Sequence, residues 1–200
     1  GEALQLVRSH VPDIIVSDVM MPRMNGYKLC KTIKEDINIS HIPVILLTAR
    51  DDRQSQISGY KNGADGYLSK PFEVEMLMEL IRNRLKNREY TKKRYLNAGL
   101  IPTPEESTIS LTDETFLIKL NSIIQENIEN SNLGIQFICQ EVGLGRSSLY
   151  NKLKALTGMG ANEYISKLRI EKAITLISGT DMPFSEIAEK TGFTTPSYFS

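Results

Sequence analysis

Val11-Pro12-Asp13-Ile14-Ile15-Val16-Ser17-Asp18-Val19-Met20-Met21-Pro22-Arg23-Met24-Asn25-Gly26 decides how the first half of this chain is read. An apolar, β-rich run, Ile14-Ile15-Val16, ends in Ser17 and Asp18. A Met-Met-Pro loop and an Asn-Gly pair follow, then apolar positions at helical spacing: Tyr27, Leu29, Cys30 and Ile33. That order places a carboxylate on the C-terminal tip of a buried strand. Ligands of open α/β sheets sit in the crevice outside the strands' carboxyl ends.

Working outward, the pattern repeats. Residues 2–9 (Ala3, Leu4, Val7) read as a helix tail, 13–17 as a strand and 26–35 as a helix. Pro43-Val44-Ile45-Leu46-Leu47 is a second strand, followed by Thr48 and a helix over 53–62 that ends before Gly63. Gly66-Tyr67-Leu68-Ser69 is a third strand, followed by Lys70-Pro71-Phe72 and a long helix over 73–89 with Met76, Leu77, Leu80, Ile81 and Leu85 on one side. Strands alternating with helices imply parallel βαβ units. Three strands are few for a doubly wound sheet. The chain also opens with Gly in mid-helix and closes at Ser200 inside a helical pattern, so it is expected to be a piece cut at both ends.

Two hundred residues suit one or two domains. The formal net charge is zero, which removes any global pull toward nucleic acid or membrane, so charge is informative only locally. Arg146, Lys152, Lys154, Lys167, Arg169 and Lys172 fall in one stretch opposed by Glu163 and Glu171. Cys30 and Cys139 stand far apart and read as reduced core cysteines. No apolar run approaches the ~20 residues that span a bilayer, and no secretory signal is visible.

From about residue 90 the alternation stops. The stretch 90–111, with Gly99, Pro102 and Pro104, reads as a linker. Beyond it every segment is helical: 113–130 capped by Thr112, then 135–142, 147–157, 161–178 and 184–191, with another starting near 195. Gly143, Gly158, Gly179 and Gly192 stand at the breaks.

A strand-end carboxylate such as Asp18 can hold Mg²⁺, which favours hard oxygen ligands, and can attack phosphorus to form an aspartyl phosphate. Lys70 supplies a cation for the product's oxygens, and Thr48 a hydroxyl. In a parallel sheet the three strand ends converge. Taken singly, each residue has an ordinary reading: Asp18 a loop acid or helix cap, Thr48 a strand-end hydroxyl, Lys70 a solvated charge, Tyr67 a half-buried aromatic. Asp51 and Asp52 read as caps of the following helix, and Asp13 and Asp65 as turn residues.

Asp18, Thr48 and Lys70, with Tyr67 three residues before the lysine, the Met20–Gly26 loop and Lys70-Pro71-Phe72, resemble the receiver domain of two-component response regulators in identity and spacing. The resemblance covers residues 1–89. It implies that Asp18 accepts a phosphoryl group from a kinase histidine, that the Met20 carbonyl helps hold Mg²⁺, and that Thr48 and Tyr67 form a switch pair. It also implies that Lys70 pairs with the phosphoryl oxygens and that the Lys70-Pro71 bond is cis. The family's acidic pair, which completes the Mg²⁺ site, would precede residue 1, so this piece alone is expected to bind Mg²⁺ poorly.

In the second half, two short helices around Gly143-Leu144-Gly145 read as a helix-turn-helix. The second helix would enter a major groove with Arg146, Ser147, Ser148, Asn151, Lys152 and Lys154 exposed, and Leu149, Leu153 and Leu156 turned to the core. Arg and Asn can read base edges, whereas Lys and Ser mostly hold phosphates. Tyr150 reads either as a phosphate contact or as packing. A second unit begins at Phe184, with its reading helix over Thr195, Ser197 and Tyr198. The tandem resembles the AraC-type DNA-binding domain in Arg146–Lys154, Thr157-Gly158, Tyr164-Ile165, Leu168-Arg169-Ile170, Ile187-Ala188 and Gly192-Phe193. It departs at Gly145, where a serine-like cap is common.

The expected architecture is therefore a receiver, a flavodoxin-like doubly wound parallel sheet that is incomplete (1–89), a linker (90–111), and an all-α tandem helix-turn-helix domain (112–200). The resemblances imply a bacterial, cytoplasmic transcription factor controlled by phosphorylation, with no enzymatic activity in this piece and the activity of the parent chain open. Its implied partners are DNA, a histidine kinase domain in the same or another chain, a second copy in a homodimer, and RNA polymerase. The juxtaposition also resembles the C-terminal end of membrane-bound hybrid sensors, in which a histidine kinase lies upstream.

Overall fold

The computed structural model describes residues 2–22, 24–49, 63–98 and 110–193. Contacts divide the chain into two compact units, Gly1–Lys93 with Thr103–Glu114, and Arg94–Pro102 with Thr115–Ser200.

In the first unit the element order is α1 (Glu2–His10), β1 (Ile15–Asp18), α2 (Gly26–Glu35), β2 (Val44–Ala49), β3 (Gly66–Lys70) and α3 (Val74–Ala98). The described strands form one sheet in the order β1-β2-β3, every pair parallel. Strand side chains alternate between the two faces. Val44 and Leu46 join Leu4 and Val7 of α1 and Leu29, Cys30 and Ile33 of α2 in the main core. Ile45 points to the other face, where α3 lies close. A Cβ on Gly66 would stand 3.3 Å from Leu80 Cδ2 and 3.4 Å from Ile45 Cγ1, so glycine lets α3 approach the sheet. Burial of each such aliphatic side chain contributes roughly 1.5–3 kcal/mol.

A polar staple ties α2 to the sheet. The Lys34 ammonium donates to the Ile42 carbonyl (3.0 Å) and the Ser40 carbonyl (3.3 Å) and pairs with Asp65 at 2.7 Å. The same Asp65 oxygen accepts the Val44 N–H at 2.7 Å. Asp65 therefore does more than shape a turn: it holds the starts of β2 and β3 together.

Several boundaries differ from expectation. β1 begins at Ile15, and Thr48 and Lys70 lie inside their strands. α3 continues through 90–98, nine residues expected to be linker, because no Gly or Pro interrupts them before Gly99. The next helix, α4 (Leu111–Glu126), is capped by Ser110 rather than Thr112. The Asp113 N–H donates to Ser110 Oγ (3.2 Å), while that hydroxyl donates to Asp113 Oδ2 (2.8 Å). The Ser110 hydroxyl thus accepts a first-turn N–H, as an N-cap does, and is itself tied to the Asp113 carboxylate. Thr112 donates instead to the Lys34 carbonyl. The helix expected at 53–62, with Asp51 and Asp52, and the 99–109 part of the linker lie outside the described residues.

The elements of the second unit among the described residues are all helices: the body of α4, then α5 (Ile135–Val142), α6 (Arg146–Thr157), α7 (Ala161–Gly179) and α8 (Phe184–Lys190). Its core gathers Phe116, Leu117, Leu120, Ile124, Ile138, Leu149, Leu153 and Ile165. The buried Tyr164 hydroxyl donates to Asn121 Oδ1 at 2.8 Å, and burial pushes its pKa up to about 12. Gly192 has φ +70°, and a Cβ there would stand 2.3 Å from the Ile128 carbonyl oxygen. Gly179 is the last residue of α7 rather than its cap, which is Thr180. No helix among the described residues is long and apolar enough to cross a membrane.

The Asp65 staple yields a prediction. Asp65→Ala leaves the Lys34 cation and the Val44 N–H short of a shared acceptor and is expected to cost about 1–3 kcal/mol. Urea unfolding of the chain checks it; a midpoint unchanged from wild type contradicts the staple.

Candidate functional site

Asp18 is the last residue of β1 and pairs with Leu47; Ala49 of β2 pairs with Lys70, the last residue of β3. The Lys70 ammonium donates to Asp18 Oδ2 as an ion pair across the strand ends. The Met20 N–H donates to Asp18 Oδ1 at 3.2 Å. The Lys70 hydrogen bond first, then the Met20 N–H, hold the Asp18 carboxyl below its ordinary 3.8. The carboxylate is thus ionised and partly open to solvent, its side chain 33% exposed.

Sterics of the following loop fix that position. Asn25 caps α2, its Oδ1 accepting the Lys28 N–H at 2.9 Å, and the Gly26 N–H donates to the Val19 carbonyl at 2.9 Å. A Cβ on Gly26 would fall 2.4 Å from the Asp18 carbonyl oxygen. Only glycine lets the start of α2 close on the strand tip. Gly26 belongs to the motif read from the sequence, but its steric role appears only in three dimensions.

Thr48 is buried, 1% exposed, one position beyond the residue paired with Asp18. Its hydroxyl stands 3.5 Å from that of Ser69, the residue opposite it in the ladder. Ser69 was not singled out in the sequence, although its place directly before Lys70 is the available signal. Tyr67 is half-buried and packs against the main core. The Lys70-Pro71 bond is cis. Met20 is exposed, and Arg23 lies outside the described residues.

Among the described residues no group of three or more His, Cys, Asp or Glu is placed to hold a metal ion. Asp18 and the Met20 carbonyl are one carboxylate and one neutral oxygen. They do not by themselves make an Mg²⁺ cage, which needs six oxygen positions even when waters fill several.

In the second unit α5 ends at Gly143 (φ 74°), and Gly145 begins α6 without a side-chain cap. Leu144 between them is buried. Arg146, Ser147, Tyr150 and Lys154 are exposed, and Ser148 and Asn151 half-exposed. Tyr150, 54% exposed, does not pack into the core. Arg146, Ser147, Tyr150, Asn151 and Ile135 border a groove of about 570 Å³.

Lys152 requires correction. It was expected on the exposed face, but it is 0% exposed, with its Nζ 5.1 Å from the centre of the Phe116 ring. Position 152 falls between Leu149 and Leu153 on the inward stripe, and a ring face attracts a desolvated ammonium. Its ammonium faces the Phe116 ring inside the unit and not a DNA phosphate. Thr195, Ser197 and Tyr198, expected in the second reading helix, lie outside the described residues.

A response regulator receiver domain family matches residues 1–82, and a helix-turn-helix domain family matches 138–200. The chain is 42% identical over 198 residues, 99% of its length, to histidine kinase P4 of Formosa agariphila, and spans 14% of that protein. It is 30% identical over 173 residues to the probable transcriptional regulator ycf29 of Pyropia yezoensis, covering 81% of this chain and 78% of that one. A solved C-terminal domain of the two-component response regulator yesN from Fusobacterium nucleatum is 29% identical, with a TM-score of 0.37, covering 40% of this chain and 82% of that one. A receiver sheet and a helix-turn-helix unit on one chain define a two-component regulator of the DNA-binding class. The chain belongs to the response regulators, with a receiver domain followed by an AraC-type helix-turn-helix domain. Receiver domains generally bind Mg²⁺ at their phosphorylation site.

Two predictions follow from these placements. A depressed carboxyl pKa contributes stability above the unfolded value of 3.8 that is lost as pH falls through the lower folded value. Lys70→Gln removes the largest cause, so the Asp18 carboxyl is expected to titrate higher, and the stability that Asp18 contributes above 3.8 and loses in acid is expected to shrink. Carboxyl ¹³C NMR titration measures it; an unmoved Asp18 titration contradicts the pairing. On DNA, Lys154→Gln is expected to reduce the log–log salt slope of binding by about 0.9 if Lys154 holds a phosphate, while Lys152→Met leaves the slope unchanged. A slope reduced by the Lys152 variant would place that ammonium on DNA after all.

Proposed function

We propose that phosphoryl transfer from a kinase histidine to Asp18 controls sequence-specific DNA binding by the helix-turn-helix unit. The observation that carries this reading is the ionised, solvent-accessible Asp18 carboxylate held at a strand tip beside Lys70. An Asp18 oxygen attacks phosphorus, the P–N bond to the kinase imidazole breaks, and the imidazole leaves with the electron pair and takes up a proton. The carboxylate's charge is formally lost with the departing electron pair and its proton, the transferred group brings its own negative oxygens to the strand tip, and Lys70 shifts its hydrogen bond to them. Thr48, buried on the neighbouring strand, turns its hydroxyl from Ser69 toward the same oxygens. Tyr67, two residues before Ser69 on β3, follows inward. Phosphorylation in this scheme biases an equilibrium between two existing states rather than creating a new one. In the favoured state a homodimer places α6 in the major groove, within reach of RNA polymerase.

A second reading has a specific observation in its favour. Identity of 42% along 99% of the chain to a histidine kinase, of which the chain spans 14%, fits the C-terminal part of a membrane-bound hybrid sensor. Asp18 would then take its phosphoryl group from a kinase in the same polypeptide, and the DNA-binding unit would work at the cytoplasmic face. The intact mass of the natural polypeptide separates the two: several times this chain's mass with a membrane span supports the hybrid, and a small excess supports a separate regulator served by a separate kinase.

In either case Asp18→Asn in the natural polypeptide is expected to abolish phosphoryl incorporation at this position and the phosphate-dependent change in DNA affinity. Gel-shift titration with and without the phosphorylating kinase checks it. A variant that keeps the phosphate-dependent change would sink the mechanism.

A further inference from the structure

From the geometry of the helix-turn-helix we infer that Gln136, on the first turn of α5, is a positioning residue that aims Arg146 at a guanine in the major groove. Arg146 is the first residue of α6 and exposed, at the end that enters the groove. Its guanidinium donates from Nη2 to Gln136 Oε1 at 3.0 Å, across the turn between the two helices. Gln136 is itself exposed, so the bond is made on the outer surface and not within the core.

Three physical points favour a base-reading role. A guanidinium carries five N–H donors in a planar fork. One donor spent on Gln136 leaves a complete two-donor edge for the O6 and N7 acceptors of guanine. The partner is a neutral amide, so the guanidinium keeps its full charge for DNA. A carboxylate in the same place would hold the side chain equally well while cancelling its field. A free arginine samples many rotamers, and an anchor from the adjacent helix lowers the ordering cost of binding. Arg146 also borders the groove shared with Ser147, Tyr150 and Asn151, so the aimed fork stands beside the other polar groups of the reading face.

This inference rests on the DNA-binding reading above, and the experiment separates the two. The full chain is used to select duplexes from a randomised pool, and each position of the selected duplex is then varied over a salt series. Wild type is expected to prefer G·C at one position by about tenfold or more, the value of one bidentate contact. Arg146→Ala is expected to erase that preference. Gln136→Ala is expected to lower it at least about threefold, leaving affinity for unrelated duplex, salt slope and thermal midpoint unchanged. The double variant should be no worse than Arg146→Ala alone, as coupled residues require. A Gln136→Ala protein that discriminates like wild type overturns the inference. So does an Arg146→Ala protein that binds all duplexes equally more weakly with a shallower salt slope, the mark of a phosphate contact. Failure of the wild-type chain to select any duplex would refute the DNA-binding reading itself, and this inference with it.

Discussion

In a parallel ladder the carboxyl ends of the strands lie side by side. With Asp18 opposite Leu47 and Ala49 opposite Lys70, the tips of β1 and β3 stand on either side of β2. The Lys70 side chain can then span the central strand to reach Asp18. A slip of one residue in either ladder would turn every side chain of that strand to the other face. It would bury Asp18 or strip it of its cation. The Lys34–Asp65 staple and the apolar alternation of β2 matter to the site because they fix that register. Gly26 adds a second constraint: it lets the next helix begin directly against the strand tip, where any Cβ would collide with the Asp18 backbone.

The helical unit depends on a comparable close approach. Gly143 takes the left-handed conformation that ends α5, and buried Leu144 pins the turn to the core. The angle between α5 and α6 follows from these two residues. Lys152 strengthens the arrangement from below, its stem on the inward stripe of α6 and its charge over Phe116 of α4. A long cation used in this way serves as packing, since its four methylenes bury like an aliphatic chain.

Much of this is legible in the sequence, and the failures have identifiable causes. The order strand, carboxylate, Asn-Gly and helix at 11–26 is readable because period and turn chemistry change within a few residues. The breaks at Gly143 and Gly158 are readable because glycine tolerates positive φ. Lys152 is misread because residue type was weighed above angular position: 149, 152, 153 and 156 form one helical stripe. The end of α3 is misplaced because the strand–helix alternation ends at 90, whereas the first helix breaker is Gly99. Ser110 rather than Thr112 was available as a cap, since only Ser110 has an acid three residues on. Ser69 has only its place before Lys70 as a signal, and Gln136 and the steric part of Gly26 leave no local trace. Their roles arise from contacts across strands, across a turn and between a loop and a strand end.

The two working groups are oriented by opposite electrostatic logic. The proposed phosphoacceptor must be ionised to attack, and a cation as its nearest neighbour keeps it so. The same cation is then in place for the negative oxygens that the phosphoryl group brings with it. The proposed base reader must present a positive charge to a polyanion, and its neighbour is a neutral amide that fixes direction without neutralising it. If these partners exchanged character, both sites would suffer. A glutamine at position 70 would leave Asp18 without a counter-charge at the moment of transfer. A glutamate at position 136 would hold Arg146 in place while removing the attraction that brings it to DNA. The side chain beside each group is therefore selected by the charge that group must carry while it works, and hydrogen-bond geometry is a condition both partners meet.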